Sequence, residues 1–328
     1  MSQEVNAGDA PPRIEDIRRA AERIGPYVHR TPVFTSNTVN DISGARVFFK
    51  CENLQKAGAF KVRGATNAVF SLSDEQARRG VATHSSGNHA AALALAAGRR
   101  GIPATVVMPD NASAIKKQAV AGYGATIVYC EPTFRAREEA LAEIAKRTQA
   151  VVVHAFDDPR VIAGQGTAAL ELFEQVNDID TVIAPVGGGG LLSGTALTAR
   201  SLFPAARVFG AEPRNVDDAR QTLKSGRIMP VTGKTSIADG LLAALGTITF
   251  PIIRDHVTGI ITVSEESIVD AMRLIWERLK LIIEPSAAVA VAALLRQPDE
   301  FEGRRVGIIL SGGNIDLDKL PWVAGPTP

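Results

Sequence analysis

The stretch Thr181-Val-Ile-Ala-Pro-Val-Gly-Gly-Gly-Gly-Leu-Leu192 decides the fold. Its first six residues are apolar and short, which reads as a strand covered on both faces. Four glycines follow, and then a helical run to about Leu202. Consecutive glycines lower stability unless something uses their backbone freedom. Here the N–H groups of Gly187, Gly188, Gly189 and Gly190 can converge on an anion, and the helix N-terminus adds its positive dipole end. A phosphate is the natural guest. A P-loop is excluded, because no Gly-Lys-Ser/Thr follows. A dinucleotide fold is the rival, with Glu212 as the ribose acid at the end of Arg207-Val-Phe-Gly-Ala-Glu212. The glycine spacing, 187 to 190 and then 194, fits that fingerprint poorly.

Outward from this unit, strand and helix patterns alternate. Val47–Cys51 precedes a helix over 61–70, and Val81–His84 precedes an Ala-rich helix over 88–98. Strands over 105–108, 126–130 and 151–154 are followed by helices over 115–123, 135–147 and 165–176. The strand over 208–211, helices over 267–279 and 286–295 and a last strand over 306–310 complete the series, with an opening helix over 14–24. Alternation of this kind predicts right-handed crossovers and parallel sheets. The units are too many for one sheet. The expectation is an α/β protein of two open, mostly parallel twisted sheets flanked by helices, with ligands at the carboxyl ends of strands.

Composition narrows the class. The 328 residues carry a net charge of +1 with both signs interleaved, which argues against nucleic acid or an anionic membrane as partner. Cys51 and Cys130 form no CxxC or zinc pattern, so they read as free thiols of a reducing compartment. The polar tail through Ala10 reads as disordered and lacks the apolar core of a signal peptide, and no apolar run spans a bilayer. The expected location is the cytoplasm.

Four further stretches carry chemistry, each after a predicted strand. Ala57-Gly-Ala-Phe-Lys-Val-Arg-Gly64 sets Lys61 in a small-residue turn, behind Phe60. His84-Ser-Ser-Gly-Asn-His89 offers hydroxyl and backbone donors to a carboxylate, although Ser85 or Ser86 would also serve as a helix cap. Ile308-Ile-Leu-Ser-Gly-Gly-Asn314 ends a strand in Ser311, whose neutral hydroxyl could meet a heteroaromatic nitrogen. Glu212-Pro-Arg-Asn-Val-Asp-Asp218 gathers carboxylates and carbonyls that suit a hard cation or, equally, a solvated acidic loop.

Together these stretches resemble the fold-type II pyridoxal-phosphate enzymes, in particular the serine/threonine dehydratase and serine racemase family. Five motifs occur in the family's order: Ala-Phe-Lys-Val-Arg-Gly64, Ser-Ser-Gly-Asn-His89, Val-Ile-Ala-Gly-Gln-Gly166, the tetraglycine and the serine-ended last strand. The resemblance implies that Lys61 holds pyridoxal 5'-phosphate covalently, that Phe60 packs beside the ring and that Asn88 hydrogen-bonds its 3-hydroxyl. Gly187 to Gly190 would take the phosphate and Ser311 would face the ring nitrogen. Lys61, once freed, would take the Cα proton. The β-hydroxyl would leave, giving a 2-oxo acid and ammonia. Ser85, Ser86 and His89 would hold the substrate carboxylate, and Ser86 matches the serine that protonates the opposite face in racemases. Glu212, Asp218 and the carbonyl of Val216 match a Mg²⁺, Mn²⁺ or Ca²⁺ site.

For substrate, the resemblance points first to L-threonine or L-serine. The alternatives are 3-hydroxyaspartate and a serine racemase activity, and a nicotinamide-dependent oxidoreductase stands as a remote reading. Arg137 matches an arginine beside the substrate in racemase and hydroxyaspartate dehydratase members, where a guanidinium could bind a second carboxylate. Phe156 stands where the mammalian-type racemase has asparagine. The chain stops soon after its last strand, so no isoleucine-sensing regulatory domain is expected. The implied domains are a large one, 1–74 with 158–328, and a small mobile one, 75–157, in a homodimer or homotetramer.

Overall fold

The polypeptide builds two separate sheets, and the computed structural model describes them over residues 10–112, 114–231 and 235–322. The polar tail before Ala10 lies outside the described residues. One sheet has six strands in the order Val33–Phe34, Arg46–Lys50, Arg305–Ile309, Thr181–Pro185, Arg207–Pro213 and Gly259–Val263. Only its first pairing is antiparallel. The other has four parallel strands, Thr126–Cys130, Ala104–Pro109, Val81–His84 and Val151–Val152. The architecture is the expected α/β one, and the strand Arg305–Ile309 sits inside the large sheet rather than at its edge.

Helix starts follow local chemistry. The Asp158 side chain accepts from the N–H of Arg160, and Pro159 occupies the first turn, so the helix Pro159–Gln175 begins six residues before its apolar pattern does. The helix Pro285–Arg296 is built from Ala, Val and Leu and is buried along most of its length against the large sheet. Small side chains let helices touch through their backbones. A Cβ on Gly164 would lie 2.6 Å from the Gly64 Cα, so the helices Lys61–Phe70 and Pro159–Gln175 cross in direct contact. The Gln165 side chain then accepts from the Gly64 N–H at 3.1 Å. That accounts for the Val-Ile-Ala-Gly-Gln-Gly166 motif as helix packing.

Several elements carry too little pattern to read from sequence. Val33–Phe34 has two residues, and Asn37–Ser43, Asp74–Arg79 and Asp218–Ser225 are helices of eight residues or fewer. Both cysteines are free. No helix of the described residues is long and apolar enough to cross a membrane.

Candidate active site

The turn that carries Lys61 is zipped to the turn that carries Ser311. Phe60 donates its N–H to the Ser311 carbonyl at 3.0 Å, Gly313 donates to Gly58 at 2.9 Å, and Ala59 and Gly312 form a bridge. Ala57 enters this turn with φ 56°, a left-handed conformation that non-glycine residues seldom adopt. Lys61 then opens its helix, and its Nζ donates to the Ala155 carbonyl at 2.8 Å and stands 5.2 Å from the Phe60 ring centroid. Burial lowers the Lys61 pKa to about 8, partly opposed by the Glu284 carboxylate. An amine held there is partly neutral near physiological pH, as a nucleophile and base requires.

The next residue after Ala155 reaches the tetraglycine. A Cβ on Gly188 would lie 2.3 Å from the Phe156 ring, so the ring lies flat on this loop and only glycine fits beneath it. Gly189 has φ +91°, which opens the turn into the helix Gly190–Leu202. The Thr249 hydroxyl donates to the Gly188 carbonyl at 2.8 Å and ties down its outer side. The 155–156 segment thus connects the lysine to the anion loop. Its register was not legible from sequence, because no motif marks it.

The Ser85–His89 turn opens the helix Asn88–Arg100. The Ser85 hydroxyl accepts from the Gly87 N–H at 3.3 Å, and Ser86 is half-buried. The His89 ring is buried with Nε2 3.2 Å from the Val153 carbonyl, so that nitrogen carries the hydrogen. Its Nδ1 is buried without a partner. Burial and the nearby Lys61 charge push the His89 pKa down to about 3. The neutral ring has no free N–H for a carboxylate; the backbone N–H groups of the helix start do.

Asn88 is committed on both ends. Its Nδ2 donates to the two Glu284 oxygens at 2.9 and 3.2 Å, and its Oδ1 accepts from Asn314 at 2.9 Å. Glu284 is buried at the start of the helix Pro285–Arg296, and desolvation raises its pKa to about 7. Neither Glu284 nor Asn314 stood out as functional in the sequence. The available signal was a carboxylate directly before a Pro-opened helix, which ordinarily means a cap.

Arg137 lies in the first turn of the helix Phe134–Thr148, half-buried, and its charge helps depress the pKa of His84. Its Nε is buried and has no hydrogen-bond partner. Phe134 and His154 pack on the His84 ring at 5.7 and 6.4 Å between centroids. Because His84 ends the strand before Ser85, Arg137 flanks the serine turn.

The acidic loop forms a separate corner. Glu212 accepts from the N–H groups of Ala219 and Arg220 at 2.8 and 3.1 Å, capping the helix Asp218–Ser225. Each Glu212 oxygen keeps a second lone pair, so the capping role leaves it able to meet a cation as well. Both Asp218 carboxylate oxygens are buried without partners, and Val216 is buried beside them in sequence. Desolvation raises Glu212 to about 8 and Asp218 to about 7.

Comparison with known proteins agrees with this layout. The family described as pyridoxal-phosphate dependent enzyme matches residues 24–312. A beta-hydroxyaspartate dehydratase of Paracoccus denitrificans is 53% identical over 311 residues, covering 95% of this chain and 99% of that protein. The L-threo-3-hydroxyaspartate ammonia-lyase of Saccharomyces cerevisiae is 47% identical over 309 residues, covering 94% and 95%. The crystal structure of serine racemase from Dictyostelium discoideum superposes with a TM-score of 0.90 at 50% identity, covering 93% of this chain and 99% of that one. A lysine with a lowered pKa, a four-glycine turn and a strand followed by serine therefore stand in a chain that belongs to the pyridoxal-phosphate dependent enzymes, of fold type II.

Proposed function

We propose that this protein is a carbon–nitrogen lyase that releases ammonia from a β-hydroxy amino acid by α,β-elimination, and that its substrate is a 3-hydroxyaspartate. The observation that carries the substrate is the Arg137 Nε, a buried cationic donor without an acceptor beside the serine turn. Buried guanidinium donors are rarely left unpaired, and a second substrate carboxylate would pair this one. L-Threonine and L-serine, the first expectation from sequence, lack that group. The names of two relatives, a beta-hydroxyaspartate dehydratase and a hydroxyaspartate ammonia-lyase, point the same way.

The residues present fit pyridoxal phosphate. Gly187 to Gly190 and the helix start behind them suit the phosphate, Lys61 the aldehyde, Asn88 the ring oxygen and Ser311 the ring nitrogen, with Phe60 alongside. When bound, that group withdraws electrons from the substrate Cα. Lys61 Nζ, poised near pKa 8, moves the Cα proton. The hydroxyls of Ser85 and Ser86 and the backbone N–H of His89 hold the α-carboxylate. Phe156 and the edge-to-face rings of His84 and His154 keep water from the reacting face. Ser86, which matches the serine that protonates the opposite face in racemases, supports a second reading, side racemisation, in keeping with the serine racemase relatives.

A divalent cation fits the acidic corner. Two unpartnered Asp218 oxygens are the donors such an ion would use, with Glu212 and the Val216 carbonyl beside them. Among the described residues no cluster of three or more His, Cys, Asp or Glu is set to hold a metal, so water would complete the shell. We also propose the division into residues 1–74 with 158–328 and a mobile 75–157. The four-stranded sheet, drawn wholly from 81–152, supports it. A homodimer or homotetramer is proposed, to be checked by light scattering.

The deciding experiment measures 2-oxo acid release from the 3-hydroxyaspartate isomers, L-threonine and L- and D-serine. One hydroxyaspartate isomer should be the best substrate. Arg137→Ala should lower kcat/KM for it by about 100-fold, the worth of a lost charge-assisted pair of roughly 3 kcal/mol, and barely change L-serine turnover. An equal loss on both substrates, or none on hydroxyaspartate, would refute the assignment.

A further inference from the structure

The chain of side-chain hydrogen bonds around Asn88 has a direction. Ala57 contributes a backbone carbonyl, which can only accept. Asn314 must therefore turn its Nδ2 toward it, at 2.8 Å, and the same Nδ2 donates to Asn88 Oδ1 at 2.9 Å. Asn88 is left with its Nδ2 facing Glu284, whose carboxylate, once ionised above its pKa of about 7, also only accepts. Both ends of the relay are acceptors, so neither amide can flip without losing a bond. An Nδ2 group has two hydrogens, and Glu284 engages one side of it. One N–H of Asn88 remains uncommitted, in a site where Lys61 is the covalent anchor of the proposed function.

We propose that Glu284 is a positioning residue that, with Asn314, locks the Asn88 carboxamide so that it meets the cofactor's ring oxygen with an N–H and not with its carbonyl. This rests on the pyridoxal reading above. The relay joins four segments far apart in sequence, at Ala57, Asn88, Glu284 and Asn314, so it can form only when the site is assembled. A fully buried carboxylate is an expensive way to cap a helix. Moreover, its side chain caps nothing here, because Ala287 and Ala288 donate to the Glu284 backbone carbonyl instead. The raised pKa of Glu284 agrees with a group kept buried for a purpose other than stability.

The test uses the loaded enzyme and reads the cofactor. A donated N–H stabilises the ring oxyanion and hence the long-wavelength yellow band over the near-ultraviolet band. Glu284→Leu removes one of the two bonds that fix the amide, so above the Glu284 pKa part of the yellow band should give way to the near-ultraviolet band. Cofactor Kd, by fluorescence titration, should rise about 5- to 30-fold, as for one misdirected hydrogen bond. Glu284→Gln keeps an accepting carbonyl of the same reach and should restore both readouts to near wild type. A wild-type spectrum and Kd in Glu284→Leu, or a Gln variant as impaired as Leu, overturns the proposal. Should Glu284→Leu not fold, the exposed Asn314→Ala decides: a smaller shift in the same direction supports the relay, and an unchanged spectrum refutes it. Wild-type protein that takes up no cofactor would instead refute the pyridoxal reading, and this inference with it.

Discussion

Lys61 keeps its ammonium where burial disfavours it, and the consequence is a pH dependence with a definite sign. Its folded pKa of about 8 lies below the ordinary 10.5, so the amine is neutral above pH 8 in the native chain and charged in the unfolded one. Uptake of pyridoxal phosphate by cofactor-free protein should quicken as pH rises through about 8 and level off above it, followed by the growth of visible absorbance. A rate flat across that range would contradict the lowered pKa. The acidic corner has the opposite sense. Glu212 and Asp218 hold protons to about pH 8 and 7, while the unfolded carboxyls lose them near 4.5 and 3.8. Cation-free stability should therefore fall as pH climbs from about 4 to 8. Mg²⁺, Mn²⁺ or Ca²⁺ at 100 times its Kd should contribute about 2.7 kcal/mol, seen as a raised Tm. That rise should be larger at pH 8 than at about pH 5, where protons compete, and absent in Asp218→Asn. A Tm indifferent to all three ions would count against the site.

At the scale of elements, the helix Lys61–Phe70 is anchored as firmly by Arg63 as by its apolar face. Arg63 is fully buried, with its guanidinium paired to Glu52 at 2.7 and 2.8 Å and to Glu171 at 2.8 Å on two nitrogens. Lys50 joins Glu171 at 2.6 Å and Gln175 at 2.8 Å, so the network spans a strand and two helices. Arg63→Met would strand the Glu52 carboxylate inside the protein, leave Glu171 on Lys50 alone, and should cost about 3–5 kcal/mol in urea denaturation. Restoring neutrality with Glu52→Gln in the same chain, which leaves Lys50 paired to Glu171, should recover part of the loss. If the single variant loses under 1 kcal/mol, the pairing is not what holds the helix. In sequence, Arg63 looked like any charged residue two places past Lys61, since periodicity reports apolar faces and is silent on paired charges.

For the whole molecule, legibility followed the length of the pattern. Long βα units such as Thr181–Leu202 and Val81–Arg100 carry enough apolar periodicity to place both element and turn, so the two-sheet fold and the glycine loop could be read. The strand Val33–Phe34 and the short helix Asp218–Ser225 could not, because two to eight residues do not complete a pattern. Site residues divided in the same way. Among the candidates, Asn88, Ser311 and the glycines announce themselves by position after a strand, and Lys61 by its small-residue turn. Glu284, Asn314 and Ala155 act through partners more than 90 residues away, and only the closed fold brings them there.

The strand Arg305–Ile309 lies between Arg46–Lys50 and Thr181–Pro185, in parallel register with both. The second strand therefore waits for the last strand of the described residues before it acquires its parallel neighbour. A ribosome must release the chain through Ile309 before the central seam of the large sheet can close. Until then the edge groups of Arg46–Lys50 and the apolar face of the helix Pro285–Arg296 stay open to other chains. Folding should be slow and concentration-sensitive, governed by loop closure across the full length. Because the Lys61 turn is stitched to residues 311–313 at the far end of that seam, the Lys61 amine reaches its place only after the chain through residue 313 has been made.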